Sequence, residues 1–208
     1  MRRNFSCIDF IAVYKIPILC VVNAQASGPG TGMGGGIRIR SGSTLILRGR
    51  ATVADNVAEE KGGGIAAGAS TVHLEDKATV RGNVAKSGGG IFGESPTGKL
   101  TVARTAQARI VENSATKRGG GIYAEGKSSL ALSFGSVVLR ANRAQFDGGG
   151  VALDTGSSLS ADNCTLVVIS NVAVAGDGGG LALFGEASLN ITGSTPAVVR
   201  NNTAGGRG

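Results

Sequence analysis

The chain has 208 residues, a formal net charge of +7, 36 glycines, six phenylalanines, two tyrosines, no tryptophan and three cysteines. So few rings exclude a core of large residues, and the cysteines cannot build a disulfide framework or a zinc site. The basic residues are scattered and not interleaved with stacking rings, which argues against nucleic acid and suits only a weak attraction to acidic polysaccharides or anionic surfaces.

In chain order, residues 1–26 come first and differ in composition from the rest. Met1-Arg2-Arg3 is followed by an apolar stretch ending Ile16-Pro17-Ile18-Leu19-Cys20-Val21-Val22 and then by Ala24-Gln25-Ala26. A basic start, an apolar run and a small-x-small site predict a signal peptide over 1–26, although Asp9 and Lys15 limit the uninterrupted run to about seven residues. An N-terminal cap is the other reading of this segment, because Val22-Asn23-Ala24 echoes the repeat that follows. No run reaches the length of a membrane-spanning helix.

From residue 27 to 208 one repeat continues. Glycine triplets begin at Gly34, Gly62, Gly88, Gly119, Gly148 and Gly178, followed by Ile37, Ile65, Ile91, Ile122, Val151 and Leu181. A second signature, aliphatic-x-x-Asn, carries Asn56, Asn83, Asn113, Asn142, Asn171 and Asn202. Triplets are spaced by 28, 26, 31, 29 and 30 residues and asparagines by 27, 30, 29, 29 and 31, one elastic period of about 29. Periods of this length mark solenoids and propellers.

Within a period the segments are short and often β-branched, as in Thr71-Val72-His73-Leu74, so they read as strands. Three per period are visible, for example Ile122-Tyr123-Ala124, Ser129-Leu130-Ala131-Leu132 and Val137-Val138-Leu139. Three short strands fit a coil of a parallel β-helix, whereas a propeller blade needs four strands and about 40 residues. The expectation is an all-β solenoid of about six coils of three strands, a rod on the order of 30 Å long.

Stacking coils of this length produces columns. Val53, Val80, Ile110, Leu139, Val168 and Val199 form one, the aliphatics after the triplets a second, and Ala58, Ala85, Ala115, Ala144, Ala173 and Ala204 a third. These are the expected core. The asparagines form a predicted ladder, because a carboxamide carries both donors and an acceptor for its counterpart one coil away. The triplets serve a bend where positive φ is allowed and no Cβ meets the next coil. The stretch between the aliphatic columns is longest around Glu94-Ser95-Pro96-Thr97-Gly98, where a binding loop is expected.

Enzymes also occur on β-helices, so catalysis has to be tested on residues. The residue before each triplet is Lys61, Ser87, Arg118, Asp147 or Asp177, which stacks Asp147 and Asp177 one coil apart beside Arg118. That is the weak candidate for a metal or catalytic face, set against a solvated turn in which Arg118 and Asp147 pair. His73, the single histidine, lies beside Ile46 in an ungapped alignment, with Glu75 beside Arg48. It reads as an exposed strand residue, and a histidine relay needs partners this chain lacks. Gly30-x-Gly32-x-x-Gly35 fits a dinucleotide fingerprint by letter, but strand and not helix follows it. No catalytic residue, cofactor or metal is expected.

Gly-Gly-Gly-aliphatic paired with aliphatic-x-x-Asn resembles the repeats of the chlamydial polymorphic outer membrane proteins, Gly-Gly-Ala-aliphatic and Phe-x-x-Asn, over about residues 33–208. The third glycine stands in place of alanine, and Val, Ile or Leu in place of phenylalanine. The resemblance implies a right-handed parallel β-helix, a surface-displayed passenger used in adhesion and carried by a C-terminal membrane barrel. The reading is a non-enzymatic secreted or cell-surface module, structural or adhesive, contacting glycans or cell-surface proteins. Its open ends are expected to self-associate or to continue into further repeats. A pectate-lyase-like enzyme with an acidic face at Asp147 and Asp177 is the alternative.

Overall fold

The computed structural model of the protein describes residues 8–10, 14–16, 20–22, 24–26, 32–94, 99–102, 107–133 and 135–206. Its regular structure is entirely β, with every strand in one of four parallel sheets of seven strands. Each coil gives one strand to each sheet. In the coil that starts at Gly119 these are Ile122–Glu125, Ser129–Ser133, Ser136–Arg140 and Arg143–Ala144. The sheets are called first to fourth in that order.

The predicted coils and columns are present, but a coil has four strands and not three. The extra strand follows each asparagine and is only two residues long, as in Val84–Ala85 and Val172–Ala173. Two residues show no alternation, so nothing in the pattern separates such a strand from a turn. The bend before it is set by the residue preceding the asparagine. Asp55, Gly82, Glu112, Ala141, Ser170 and Asn201 all take φ between 53° and 62°. Glu112, Ala141 and Ser170 adopt this left-handed conformation against their own steric preference, and the neighbouring ladder holds them there.

Six coils begin at the triplets, and one further rung precedes them. Ile8–Phe10, Tyr14–Ile16, Cys20–Val22 and Gln25–Ala26 pair in parallel with the strands of the coil that starts at Gly34. These are the described part of the segment expected as a leader, and its other residues lie outside the described ones. Val22 pairs with Ala54 and Gln25 with Val57, so Ala24 stands at the ladder position, and Asn23 lies outside the described residues.

The core is a chain of columns in register. Val53, Val80, Ile110, Leu139, Val168 and Val199 are successive pairing partners, as are Ile37, Ile65, Ile91, Ile122, Val151 and Leu181. Side chains such as Ile37, Leu74 and Ile110 are fully buried, each worth about 1.5–3 kcal/mol of transfer free energy. In the last coil the same columns open to solvent, and Leu189, Ile191 and Val199 are exposed.

The asparagine amides form a continuous ladder. Asn56, Asn83, Asn113, Asn142 and Asn171 each donate Nδ2–H to Oδ1 of the next asparagine at 2.9–3.0 Å. The backbone N–H of each donates to the same oxygen. The other Nδ2 proton goes back one coil, from Asn113 to the Val80 carbonyl at 3.1 Å and from Asn142 to that of Ile110 at 2.9 Å. A fully buried carboxamide thus has every polar atom satisfied, the condition under which it stabilises.

Triplet and asparagine turn out to be one device. The first glycine bends with positive φ, 64° at Gly119. A Cβ on the second would sit between two backbone carbonyls, at Gly120 2.4 Å from Gly149 O and 2.5 Å from Arg143 O. A Cβ on the third would meet the next coil's backbone and the ladder amide, at Gly121 2.5 Å from Gly150 O and 3.1 Å from Asn142 Cγ. A second polar column accompanies the ladder at the entry to the second sheet. Ser43, Ser70, Ser128 and Ser157 are buried, and Ser128 is bonded on two sides: its N–H donates to Ser157 Oγ at 3.2 Å and its hydroxyl to the Glu125 carbonyl at 2.7 Å.

Candidate functional site

The chemically richest surface is the outer face of the first sheet, between the residues that precede the triplets and those that end its strands. Strand alternation turns Arg38, Ala66, Phe92, Tyr123, Ala152 and Ala182 to the side opposite the aliphatic core column. Ala66, Phe92, Tyr123 and Ala152 are nonetheless buried as a second apolar cluster outside the main core, with Met33 packed on it. The rings of Phe92 and Tyr123 lie 5.9 Å apart at 31°.

Two cations cover this floor, each reaching across two coils. Lys61 Nζ lies 4.5 Å from the Phe92 ring centre and pairs with Glu125. Arg118 Cζ lies 4.9 Å from that of Phe184. Its Nε donates to Asp147 Oδ2 and its Nη1 to Asp154 Oδ2, both at 2.9 Å. The expected pairing of Arg118 with Asp147 is therefore present, and Asp154 joins it. Burial opposes the charge on Arg118, but Asp147, Tyr123 and Asp154 outweigh it and hold the guanidinium above its ordinary value.

Asp147 and Asp177 are stacked as the spacing predicts. The Asp177 N–H donates to Asp147 Oδ1 at 3.0 Å, so one carboxylate oxygen of Asp147 serves the next coil and the other serves Arg118. Asp177 is exposed. Among the described residues no group of three or more His, Cys, Asp or Glu is placed to hold a metal ion.

Glu94, Glu125 and Asp154 form a column at the strand ends, in register through the pairs Glu94 with Glu125 and Ala124 with Leu153. Sequence reasoning missed this column together with Phe92, Tyr123 and Phe184. Its signal was available three residues after each post-triplet aliphatic, but that position also holds Arg40, Gly68 and Phe184 and so has no repeating type.

Tyr123 is pushed well above the ordinary phenol range, first by burial and then by its hydrogen bond and charge repulsion with Glu125. The folded chain keeps this proton above pH ~10, where an unfolded tyrosine loses it, so Tyr123 makes stability fall as pH rises past that value. We expect an alkaline absorbance titration to show one of the two tyrosines ionising only when the fold is lost. Two phenols titrating together near the ordinary value would contradict this placement.

The remaining expected residues lie elsewhere. His73 is half-buried on the outer side of the second sheet, paired with Ile46, and burial pushes its imidazole below the ordinary value. Beside it Arg48 and Glu75 form the predicted ion pair. Of the expected loop, Glu94 ends a strand and residues 95–98 lie outside the described ones. Cys164 is buried and unpaired, its thiol raised by burial.

No helix among the described residues is long and apolar enough to cross a membrane. No curated protein and no solved structure matches the chain. The family model of the right-handed beta helix region matches residues 27–204. With four in-register parallel sheets wound over that span, the chain belongs to the right-handed β-helix family.

Proposed function

We propose that the protein is a non-enzymatic β-helical module of the cell surface or secreted space, structural or adhesive, that meets glycans or surface proteins through its outer strand faces. The observation that carries this reading is the occupation of three of the acidic groups beside the first sheet. Asp147, Asp154 and Glu125 are each tied to a cation from another coil. A general acid or base must be within reach of substrate and free to exchange its proton. Carboxylates tied in this way serve registration between coils instead. The leader-like order of residues 1–26 and the likeness to chlamydial outer membrane repeats support export and surface display.

The competing reading is a pectate-lyase-like enzyme, favoured by the adjacency of Asp147 and Asp177. A glycan array run beside a polyuronate lyase assay separates the two. The module is expected to keep its binding in Asp177→Ala, whose side chain is exposed, and in Asp147→Ala. Calcium-dependent release of unsaturated sugars, lost in both variants, would overturn the reading.

A further inference from the structure

Basic residues are dispersed along the sequence, but the fold gathers six of them on the outer face of the third sheet. The column from Val53 to Val168 is buried, so its strand neighbours on either side face outwards. One outward column runs Ala54, Arg81, Val111, Arg140, Ile169, Arg200. In the column beside it Arg109 lies two residues before Val111, in the coil between Arg81 and Arg140, and is followed by Val138 and Val167. Arg50 and Lys77 stand at the entry to the sheet, and all six cations are exposed.

No strand of this sheet contains Asp or Glu. By contrast, Glu94 and Glu125 lie in the first sheet and Asp162 in the second. Asp55 and Glu112, at the bends that follow the third-sheet strands, approach Arg81 and Arg140 only to 3.6 Å, with every partner at least 41% exposed. Such solvated pairs hold weakly and give way to a better-placed anion. Among the described residues Arg109 has no carboxylate partner.

The arginines also have a period. Neighbouring strands are about 4.8 Å apart, so Arg81, Arg140 and Arg200 recur about every 9.6 Å, with aliphatic Val111 and Ile169 between them. We infer that this face is an interaction surface for a linear polysaccharide that carries an anionic group on every second sugar and lies along the helix axis. Two pyranose rings of an extended chain cover about the length of two coils. The charged sugars then meet the guanidinium forks, which take a carboxylate bidentately, and the neutral sugars lie over Val111 and Ile169. Nucleic acid fits less well: a duplex carries a charge every ~1.7 Å of axis, a single strand needs rings to stack on, and no strand of this sheet has an aromatic residue. The inference deepens the proposed glycan-binding reading and rests on it.

The test is isothermal titration calorimetry of the full chain with a hyaluronan decasaccharide, in which glucuronate alternates with a neutral sugar. Arg81→Ala combined with Arg140→Ala is expected to weaken binding about twentyfold, at up to about fivefold for each exposed contact. Arg109→Ala alone should weaken it about threefold. Lys117→Ala combined with Lys127→Ala removes the same charge from exposed sites outside this sheet and should change binding less than about twofold. Circular dichroism establishes that each variant is folded. Absence of hyaluronan binding, binding that both sets of arginine variants leave intact, or an equal loss in the lysine variant overturns the inference. So does tighter binding of polygalacturonate, single-stranded DNA or phosphatidylserine vesicles. Recognition of neutral glycans on the array without hyaluronan binding overturns this inference alone and leaves the adhesive reading standing, so the two failures are told apart.

Discussion

Asn142→Leu is expected to lower the unfolding free energy by about 4 kcal/mol, in a range of 3–6. Asn142 is fully buried. Its loss leaves the Asn113 N–H, the Asn113 Nδ2–H and the Ile110 carbonyl without their partners in the core. Each orphaned group costs about 1–3 kcal/mol, which swamps the apolar gain from leucine. Asn142→Asp keeps the acceptor but turns carboxylate oxygens towards the Ile110 carbonyl and Asn171 Oδ1, so a large loss is expected there too. The same leucine at Asn202, which is half-buried in the last coil, should cost only about 1 kcal/mol, since water can serve the released groups. Denaturant midpoints for the three variants check this, and equal losses at Asn142 and Asn202 would contradict burial as the cause.

Gly120→Ala should destabilise by about 3 kcal/mol or more, because the added methyl meets backbone on two sides and no side chain can swing away. The Gly149 and Arg143 carbonyls stand 2.4 and 2.5 Å from the new Cβ, the first at the start of the next coil and the second in the two-residue strand that closes Gly120's own coil. Relief therefore requires the coils to separate, which stretches strand pairing in the first and fourth sheets together. Gly68→Ala is the matched control. It has no atom within 4 Å of its Cβ and no positive φ. There alanine restricts the unfolded chain and should stabilise by about 0.4–1 kcal/mol. Thermal melts of the pair should move in opposite directions, and a neutral Gly120→Ala would mean that the coils are further apart than the triplets imply.

The parts of this fold that repeat by residue type were legible in the sequence. Val53 through Val199, the six triplets and the six asparagines each recur once per coil, and stacking alone explains a residue that must match itself one coil away. What repeats by conformation was hidden. The left-handed residue before each asparagine is Asp, Gly, Glu, Ala, Ser or Asn, so its role shows in φ and not in its letter. The fourth strand was invisible because two residues carry no period. The outer face of the first sheet was half legible. Asp147 and Asp177 stood out because they share a column with the triplets. Their partners Asp154 and Glu125, and the rings under Lys61 and Arg118, emerge only when side chains reach across two coils.

The buried carboxamides register each coil on the next, and side-chain amide hydrogen exchange followed by nitrogen-15 NMR reads them directly. The Nδ2 protons of Asn83, Asn113, Asn142 and Asn171 are expected to exchange only through global unfolding, while those of exposed Asn201 exchange at free-amide rates. Free-amide exchange at Asn113 and Asn142 in the folded chain would contradict a continuous buried ladder.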